Sequence, residues 1–367
     1  MIDKKYMKIA LQLAMKGCGF VNPNPMVGAI IVKDDEIIGE GYHEAYGMFH
    51  AERNAIDSCK KSIEGATLYV TLEPCCHYGK TPPCTEAIIE SGITKVVIGS
   101  LDPNPLVSGQ GVKILRNRGI EVIEGVMKEE CDELNKVFFH FIKTKTPYVA
   151  MKYAMTMDGK IATYTGKSKW ITGNASRQKV HEDRNRYSAI MVGLGTVSID
   201  DPMLNCRLDN SKNPTRIICD TNLNTPIDCK IVNTAKDIPT IIATSEVDEE
   251  KHKMYISKGC KIIVVSKKDN YIDLKELMVL LGKEKIDSIL LEGGGTLNWS
   301  SLSSGIVNKV QTYIATKIFG GINAKSPVLG IGVENPQSSF YLENIKIIKI
   351  DENIFIEGEV VQNCLQE

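Results

Sequence analysis

Two series of apolar strands alternating with helices, separated by a proline, restrict the fold of this chain more than any other sequence feature. In the first series, segments such as ATLYVTL and KVVIGS alternate with segments whose apolar residues have helical spacing. A helical segment at 128–143 ends in KTKTP, where Pro147 prevents the helix from continuing. The second series runs from YVAMKYA through AIMVGLG, TRIICD, TIIATS and KIIVVS to SILLEGGG. The pattern predicts two α/β domains with mostly parallel sheets, residues 1–146 and residues 147–367.

The same periodicities predict individual elements. The segment 29–42 is typical of a strand pair that turns at 33–36. The closing segments VNKVQTYIATKIF and IKIIKIDENIFIEGEV are typical of strands. Helices are predicted at 3–17, 50–61, 85–91, 111–118, 175–186 and 273–282.

Charge and composition restrict the function. The chain has 44 Lys and Arg residues against 45 Asp and Glu residues, so it lacks the positive field that holds nucleic acid, and a small-molecule substrate is favoured. The apolar stretch 26–32 is far shorter than the roughly 20 residues that span a bilayer, so no membrane segment is expected. Eleven cysteines in a chain of this length favour reduced thiols and a cytoplasmic location.

One group of residues indicates metal chemistry in the first domain. His50 and Glu52 stand at the start of a predicted helix, a strand ends in Pro74-Cys75, and Cys84 follows. One imidazole nitrogen and two thiolates form a zinc site with an open fourth position, which lowers the pKa of a water molecule there. Glu52 is close in sequence without being needed as a ligand, so it is the candidate that carries the proton to a departing amine. This division of roles is typical of zinc deaminases.

Alternative interpretations remain at this stage. Zinc deaminases commonly have two residues between the cysteines, whereas here eight separate Cys75 from Cys84. The longer loop carries His77 and Lys80, which either face an anionic group of the substrate or are simply solvated. The three metal-ligand candidates could instead be ordinary core residues, or part of a closed structural zinc site with Cys76 or His77 as the fourth ligand. A closed site would leave Glu52 without a role.

Longer motifs identify a family. NPNPMVGAIIV, GYHEAYGMFHAERNAI, TLEPCCHYGKTPPCTEAI and DPNPLVSGQG together resemble the bifunctional riboflavin-biosynthesis deaminase/reductase family. In the second domain, KYAMTMDGKIA, GKSKWITG, DRNRYSAIMVGLGTVSIDDPMLNCRL and LLEGGGTLNWS are similar to the reductase part of that family. The resemblance covers nearly the whole chain. It implies a cytidine-deaminase-like three-layer domain followed by a dihydrofolate-reductase-like α/β domain.

The resemblance also implies two reactions. The first is zinc-dependent deamination of 2,5-diamino-6-(5-phosphoribosylamino)pyrimidin-4(3H)-one, and the second is NADPH-dependent reduction of the ribosyl group, which gives 5-amino-6-(5-phosphoribitylamino)uracil. One Zn²⁺ per chain is expected on His50, Cys75 and Cys84, with Glu52 as the proton shuttle. The family positions that line the deaminase substrate pocket match Asn24, His43, Lys80, Asp102 and Asn104. Turn formation alone is an alternative role for Asn24 and Asn104.

For the reductase, the resemblance implies two further sets of residues. The NADPH positions match Ala154, Trp170, Thr196, Asp200, Gly294, Gly295, Thr296, Leu297, Asn298, Trp299 and Ser300. The substrate positions match Lys152, Ser168, Thr172, Arg184, Leu204, Arg207 and Glu292.

Physical arguments bear on several of these reductase residues. The glycines of VGLGTV and LEGGGTLNWS follow apolar strands, where backbone amides approach a phosphate closely, although the first lacks the third glycine of a Rossmann fingerprint. The guanidinium groups of Arg184 and Arg207 are expected to bind the substrate phosphate. For Arg184, a solvent-exposed side chain without a ligand is the alternative. Lys152 lies within an apolar strand and therefore needs a partner or ligand. Asp200 and Glu292 have an alternative role as caps of their turns.

Two rival functions are a nucleoside or tRNA-base deaminase with an unrelated partner domain, and a metal-stabilised interaction protein without turnover. The neutral net charge and the eight-residue interval count against the first, and the second predicts a closed zinc site. Assembly into a homo-oligomer is compatible with this sequence.

Overall fold

The computed structural model describes residues 2–78, 82–104 and 107–361. The chain forms two compact units, Met1–Lys145 and Thr146–Glu367. We refer to them as unit 1 and unit 2. None of the described helices is both long enough and apolar enough to cross a membrane.

The described residues of unit 1 form five strands and six α-helices. The strands are β1 Gly28–Lys33, β2 Glu36–Tyr42, β3 Thr67–Leu72, β4 Lys95–Ser100 and β5 Glu121–Ile123. The helices are α1 Ile2–Ala14, α2 Ala51–Asp57, α3 Cys84–Glu90, α4 Gln110–Asn117, α5 Lys128–Leu134 and α6 Lys136–Thr144. A short 3₁₀ helix, Met15–Gly17, follows α1.

The sheet of unit 1 separates two apolar layers. Its strand order is β2-β1-β3-β4-β5, with β3, β4 and β5 parallel and the β1 pairs antiparallel. Because side chains alternate along a strand, one face packs on α2, α3 and α4, and the other packs on α1 and α5. This arrangement has three layers.

Two local features of unit 1 bear on the expected elements. The turn between β1 and β2 has left-handed backbone at Asp34 and Asp35, with φ of 50° and 61°, as a two-residue hairpin turn requires. The helix expected at 128–143 is divided at Asn135. The Asn135 side chain accepts from the backbone N–H of Met26 at 2.8 Å and donates to its carbonyl at 2.9 Å. The helical spacing of the apolar residues predicted one continuous helix, because that spacing carries no information about a partner 109 residues away.

Unit 2 contains a larger sheet. Its strands are β6 Tyr148–Thr156, β7 Ala189–Gly193, β8 Thr215–Cys219, β9 Thr240–Thr244, β10 Lys261–Val264, β11 Lys267–Lys268, β12 Tyr271–Ile272, β13 Ser288–Leu291, β14 Lys309–Ala315, β15 Tyr341–Ile350 and β16 Asn353–Val361. Its α-helices are α7 Asn174–Arg186, α8 Leu194–Asp200, α9 Lys230–Asn233, α10 Glu249–Ser257, α11 Leu274–Lys283 and α12 Gly295–Ser303.

Nine of these strands form one sheet in the order β10-β9-β8-β7-β13-β6-β14-β16-β15. The pairs from β10 through β14 are parallel, and β16 and β15 continue the sheet antiparallel. One face packs against α11 and α12, and the other packs against α8, α9 and α10. The carboxyl ends of neighbouring parallel strands therefore meet at one edge, where open α/β sheets bind ligands.

Candidate active sites

Three side chains in unit 1 bring their ligand atoms together. His50 directly precedes α2, Cys75 follows the carboxyl end of β3, and Cys84 is the first residue of α3. His50 Nδ1 lies 3.5 Å from Cys75 Sγ and 3.4 Å from Cys84 Sγ, and the three ligand atoms all lie within 4.8 Å of one another. Two helix starts and one strand end thus converge on one point.

This geometry fits zinc. A tetrahedral zinc with bonds of about 2.3 Å to sulfur and about 2.0 Å to nitrogen separates a nitrogen ligand from a sulfur ligand by roughly 3.5 Å. The observed distances match that separation. Among the residues described, the ligand group consists of His50, Cys75 and Cys84, without Cys76 or His77. The structure therefore provides three protein ligands, as catalytic zinc sites do, and does not support the closed four-ligand alternative.

The electrostatics of the three ligands favour cation binding. A hydrogen bond from the Cys84 thiol, followed by one from His50, lowers the pKa of Cys75. The backbone N–H of Cys84 also donates to Cys75 Sγ at 3.3 Å. Because the thiolate is the form that binds metal, these donors prepare Cys75 as a ligand.

Glu52 lies beside the ligands in the first turn of α2, and only 3% of its surface is exposed. Burial raises the pKa of Glu52 to about 7, the charge of His50 opposes the rise, and that of Cys75 adds to it. Its side chain also contacts the Cys84 thiol. A carboxyl group that titrates near neutral pH can accept and return a proton during one reaction. A divalent cation bound beside it would favour the ionised form.

Two of the expected deaminase substrate residues are in contact. The buried His43 donates from Nδ1 to the Phe49 carbonyl at 3.0 Å, so Nε2 is the acceptor for the Asn24 amide at 3.2 Å. Burial lowers the pKa of His43, which agrees with a neutral ring. The ring of His43 stands at 78° to that of His50, with centroids 5.4 Å apart. Asn24 and His43 are therefore placed next to the metal-ligand group.

Asp102 and Asn104, two further expected substrate residues of unit 1, follow β4. Asp102 accepts from the Asn104 backbone N–H at 2.8 Å, which closes a tight turn. Burial raises the pKa of Asp102, and the charges of Glu73 and Cys75 add to the rise, so Asp102 lies within electrostatic reach of the metal ligands. Lys80 lies outside the described residues.

Two neighbouring clefts in the described part of unit 2 lie at the carboxyl edge of its sheet. The first has a volume of about 570 Å³, and its lining includes eight of the expected reductase residues. These are Ser168, Thr196, Asp200, Gly294, Gly295, Thr296, Leu297 and Ser300. Gly295 opens α12, and a Cβ atom there would lie 2.5 Å from Leu329, so close packing requires glycine. The N-terminus of α12 at this cleft suits a cofactor diphosphate.

The second cleft has a volume of about 560 Å³ and shares Ser168, Thr196 and Asp200 with the first. Its lining also includes the expected residues Lys152, Ala154, Trp170, Thr172, Arg184, Leu204, Arg207 and Glu292. The Ser168 hydroxyl donates to Asp200 at 3.3 Å, between the two clefts. A cofactor in the first cleft and a substrate in the second would therefore meet at this shared wall.

An ion-pair group lies in the wall of the second cleft. Arg184 donates to both carboxylate oxygens of Glu292, at 2.8 and 2.9 Å, and Lys152 lies 3.6 Å from the same carboxylate. Burial opposes ionisation of Glu292, but the charges of Arg184 and Lys152 outweigh it and lower its pKa to about 2. Lys152 thus has the partner that its strand position required. Because Arg184 also donates to the Asn205 carbonyl at 3.0 Å, its fork is engaged by protein groups and not open to a phosphate.

Arg207 differs from Arg184 in being exposed. Its Nε lies 3.1 Å from His181 Nε2, and burial lowers the pKa of His181 to about 4, with Arg184 and Arg207 as further causes. A neutral His181 can accept this hydrogen bond. Of the two arginines expected at the phosphate, Arg207 is the one whose guanidinium is accessible.

Two expected cofactor residues do not line either cleft. Asn298 is buried and donates to the Pro327 carbonyl at 2.8 Å, and Trp299 packs edge-on against Phe340. The clefts also include residues that the sequence did not single out, such as Asp220 and Lys325 in the first and Tyr313 in the second. Asp220 directly follows β8, so the rule that ligands bind at carboxyl ends of parallel strands is a signal that points to it.

Comparison with known proteins identifies both parts of the chain. Residues 1–100 match the family model described as the cytidine and deoxycytidylate deaminase zinc-binding region, and residues 147–356 match the RibD C-terminal domain. A riboflavin biosynthesis protein RibD from Actinobacillus pleuropneumoniae is 53% identical over 361 residues, which cover 98% of this chain and 96% of the relative. The corresponding protein from Aquifex aeolicus is 43% identical over 357 residues, with 97% and 98% covered.

Solved structures agree with these matches. Acinetobacter baumannii RibD superposes with a TM-score of 0.88 at 35% identity, covering 98% of this chain and 99% of the other. A Thermotoga maritima diaminohydroxyphosphoribosylaminopyrimidine deaminase/5-amino-6-(5-phosphoribosylamino)uracil reductase superposes with a TM-score of 0.85 at 42% identity, with the same coverage. The expected order of a cytidine-deaminase-like domain and a dihydrofolate-reductase-like domain is confirmed. The chain belongs to the RibD family of bifunctional riboflavin-biosynthesis enzymes, which join a zinc-binding deaminase region to a reductase domain.

Proposed function

We propose that residues 1–146 deaminate 2,5-diamino-6-(5-phosphoribosylamino)pyrimidin-4(3H)-one and that residues 147–367 reduce the product to 5-amino-6-(5-phosphoribitylamino)uracil. The convergence of His50, Cys75 and Cys84 beside the buried Glu52 is the observation that carries the first half. The two adjoining clefts of unit 2 support the second half.

In the deaminase, His50, Cys75 and Cys84 hold one Zn²⁺ per chain. When bound, the metal supplies a Lewis acid that activates water for attack on the ring carbon bearing the amine. Glu52, which is buried beside the three ligands, accepts a proton from the attacking water and delivers it to the leaving amine. The pyrimidine and its phosphoribosyl group are oriented by Asn24, His43, Asp102 and Asn104. Lys80 also contacts the substrate.

In the reductase, NADPH supplies a hydride when bound. Thr196, Asp200, Gly294, Gly295, Thr296, Leu297 and Ser300 hold the cofactor in the first cleft, while Ala154 and Trp170 contact it from the second. Lys152, Ser168, Thr172, Arg184, Leu204, Arg207 and Glu292 form the substrate wall. The Lys152–Glu292–Arg184 group presents fixed charge to the ribosyl chain, and Arg207 binds the phosphate.

One purified preparation tests both halves. Wild-type protein should contain about one zinc per chain, release ammonia from the diaminopyrimidine and then oxidise NADPH. Glu52→Gln should retain zinc and should still oxidise NADPH with the deaminated substrate. Its rate of ammonia release should fall by at least about a hundredfold, because an amide cannot accept the proton. Glu121→Gln, which changes an exposed carboxylate paired with Lys95, is the matched control. Near-normal ammonia release by Glu52→Gln would contradict the proposed shuttle.

We also propose a cytoplasmic location and self-association. Nine described cysteines are free thiols, as expected in a reducing compartment: Cys59, Cys75, Cys76, Cys84, Cys131, Cys206, Cys219, Cys229 and Cys260. Strand β15 lies at an edge of the sheet with Ile345, Ile347 and Ile348 exposed, and such edges pair readily with a second copy. Light scattering should show a dimer or a larger assembly for the wild type and a monomer for Ile347→Lys. A monomeric wild type would contradict self-association.

A further inference from the structure

Glu73 is a buried carboxylate of unit 1 that has no part in the chemistry proposed above. It directly follows β3 and precedes the metal ligand Cys75 by two residues, and only 5% of its surface is exposed. A buried carboxylate is costly unless hydrogen bonds satisfy its oxygens. Its partners therefore indicate what it does.

The partners of Glu73 are three backbone N–H groups beyond β4. Its Oε2 accepts from Asp102 at 3.1 Å and from Gly109 at 2.9 Å, and its Oε1 accepts from Val112 at 3.3 Å. Asp102 begins the segment that carries the expected substrate residues, and Gly109 ends it at the start of α4. Glu73 Oε2 thus accepts hydrogen bonds from both ends of this segment.

Two glycines, Gly109 and Gly111, allow the backbone to approach Glu73 closely. Gly109 has a left-handed φ of 75°, which glycine adopts without strain, and this turns its N–H toward the carboxylate. A Cβ atom on Gly111 would lie 2.4 Å from the Pro74 carbonyl and 3.2 Å from Glu73 Oε1. Helix α4 therefore approaches the end of β3 only because residue 111 has no side chain.

We propose that Glu73 is a positioning residue for the deaminase, which holds the segment carrying Asp102 and Asn104 in register with the metal ligands. The inference rests on the proposed function, since the segment is a substrate contact only if unit 1 deaminates the phosphoribosylaminopyrimidine. Glu73 is not one of the three metal ligands, and it does not line either cleft of unit 2. Its loss should weaken substrate binding more than it slows chemistry.

The test is Glu73→Gln in the full-length enzyme, with Glu121→Gln as the matched control. Glutamine keeps the shape but turns one acceptor into a donor, so at least one of the three N–H groups loses its partner. Because hydrogen bonds to a charged acceptor are among the stronger ones, KM for ammonia release should rise about tenfold, with kcat within about threefold of wild type. Zinc content and NADPH oxidation with deaminated substrate should be unchanged.

Gly111→Ala and amide hydrogen exchange provide a second variant and a second measurement. Gly111→Ala should also raise KM, because the added methyl group forces α4 away from Glu73 without changing the carboxylate. In both variants, amide hydrogen exchange should accelerate in peptides containing Asp102 and Gly109, but not in peptides from β1. An unchanged KM, an unchanged exchange rate, or a loss confined to kcat and zinc content would overturn the inference. A wild type that released no ammonia would instead refute the proposed function, and the exchange readout would still decide whether Glu73 holds the segment.

Discussion

Replacement of Glu292 by glutamine should destabilise unit 2 by an amount that the structure allows us to estimate. The variant leaves Arg184 and Lys152 beside a neutral group in a wall where all three side chains are at most 13% exposed. A pKa lowered from 4.5 to about 2 corresponds to roughly 3 kcal/mol of preferential stabilisation of the ionised carboxylate. Removing one partner of a buried ion pair independently suggests about 3–5 kcal/mol. Both estimates include about 3 kcal/mol, and about 1 kcal/mol shifts Tm by roughly 2–4 °C in a domain of this size, so we expect Tm to fall by roughly 6–12 °C.

The assay can be made specific for unit 2. The two tryptophans of the chain, Trp170 and Trp299, both lie in this unit, so their fluorescence reports its unfolding in the full-length protein. The folded pKa of Glu292 lies below its unfolded value, so its stabilisation is complete above about pH 4.5 and is lost as the pH falls toward 2. The difference between wild type and Glu292→Gln should therefore be constant from pH 5 to 8 and narrow below about 4.5. Glu250→Gln, which alters an exposed pair with Lys253, should match wild type. A variant Tm within about 2 °C of wild type at pH 7 would refute the reasoning.

Three further predictions concern the metal, the phosphate and the domains. Cys84→Ser should reduce zinc from about one per chain to nearly none by metal analysis, while NADPH oxidation with deaminated substrate persists; full zinc retention would exclude Cys84 as a ligand. Arg207→Ala should raise the reductase KM about five- to tenfold, since its guanidinium is exposed until substrate covers it. The effect should nearly vanish with dephosphorylated substrate, and additive losses would show that Arg207 does not touch the phosphate. A chain ending at Thr146 should deaminate, and one beginning at Pro147 should reduce without zinc; a reductase inactivated by chelation would contradict separate sites.

The sequence predicted those features that depend on local chemistry. The hairpin between β1 and β2 and the helix starting at Leu274 follow from the spacing of apolar residues and from turn residues within short windows. The grouping of His50, Cys75 and Cys84 was also predictable, because those residue types at strand and helix ends suit one metal. The two glycine segments of unit 2 do open helices beside a cleft, as their position after apolar strands suggested.

Features that depend on distant partners could not be predicted in this way. Arg184 was expected to hold a phosphate, but its partner Glu292 lies 108 residues away and occupies its fork. The break at Asn135 likewise depends on Met26, at a separation of 109 residues. The helix Glu249–Ser257 was not predicted, since Tyr255 is its buried residue and an apolar stripe is lacking. A sequence window contains neither the partner nor the geometry in these cases.

Glu73 and Glu292 show why the partner decides the role of a buried carboxylate. Each directly follows a central parallel strand, β3 or β13, and each is largely removed from solvent. Glu73 accepts from neutral backbone N–H groups, so its replacement should release a segment and be detected in KM and amide exchange. Glu292 pairs with two largely buried cations, so its replacement should leave more uncompensated positive charge and be detected in Tm and its pH dependence. The same residue type directly after a parallel strand thus predicts two different experimental signatures.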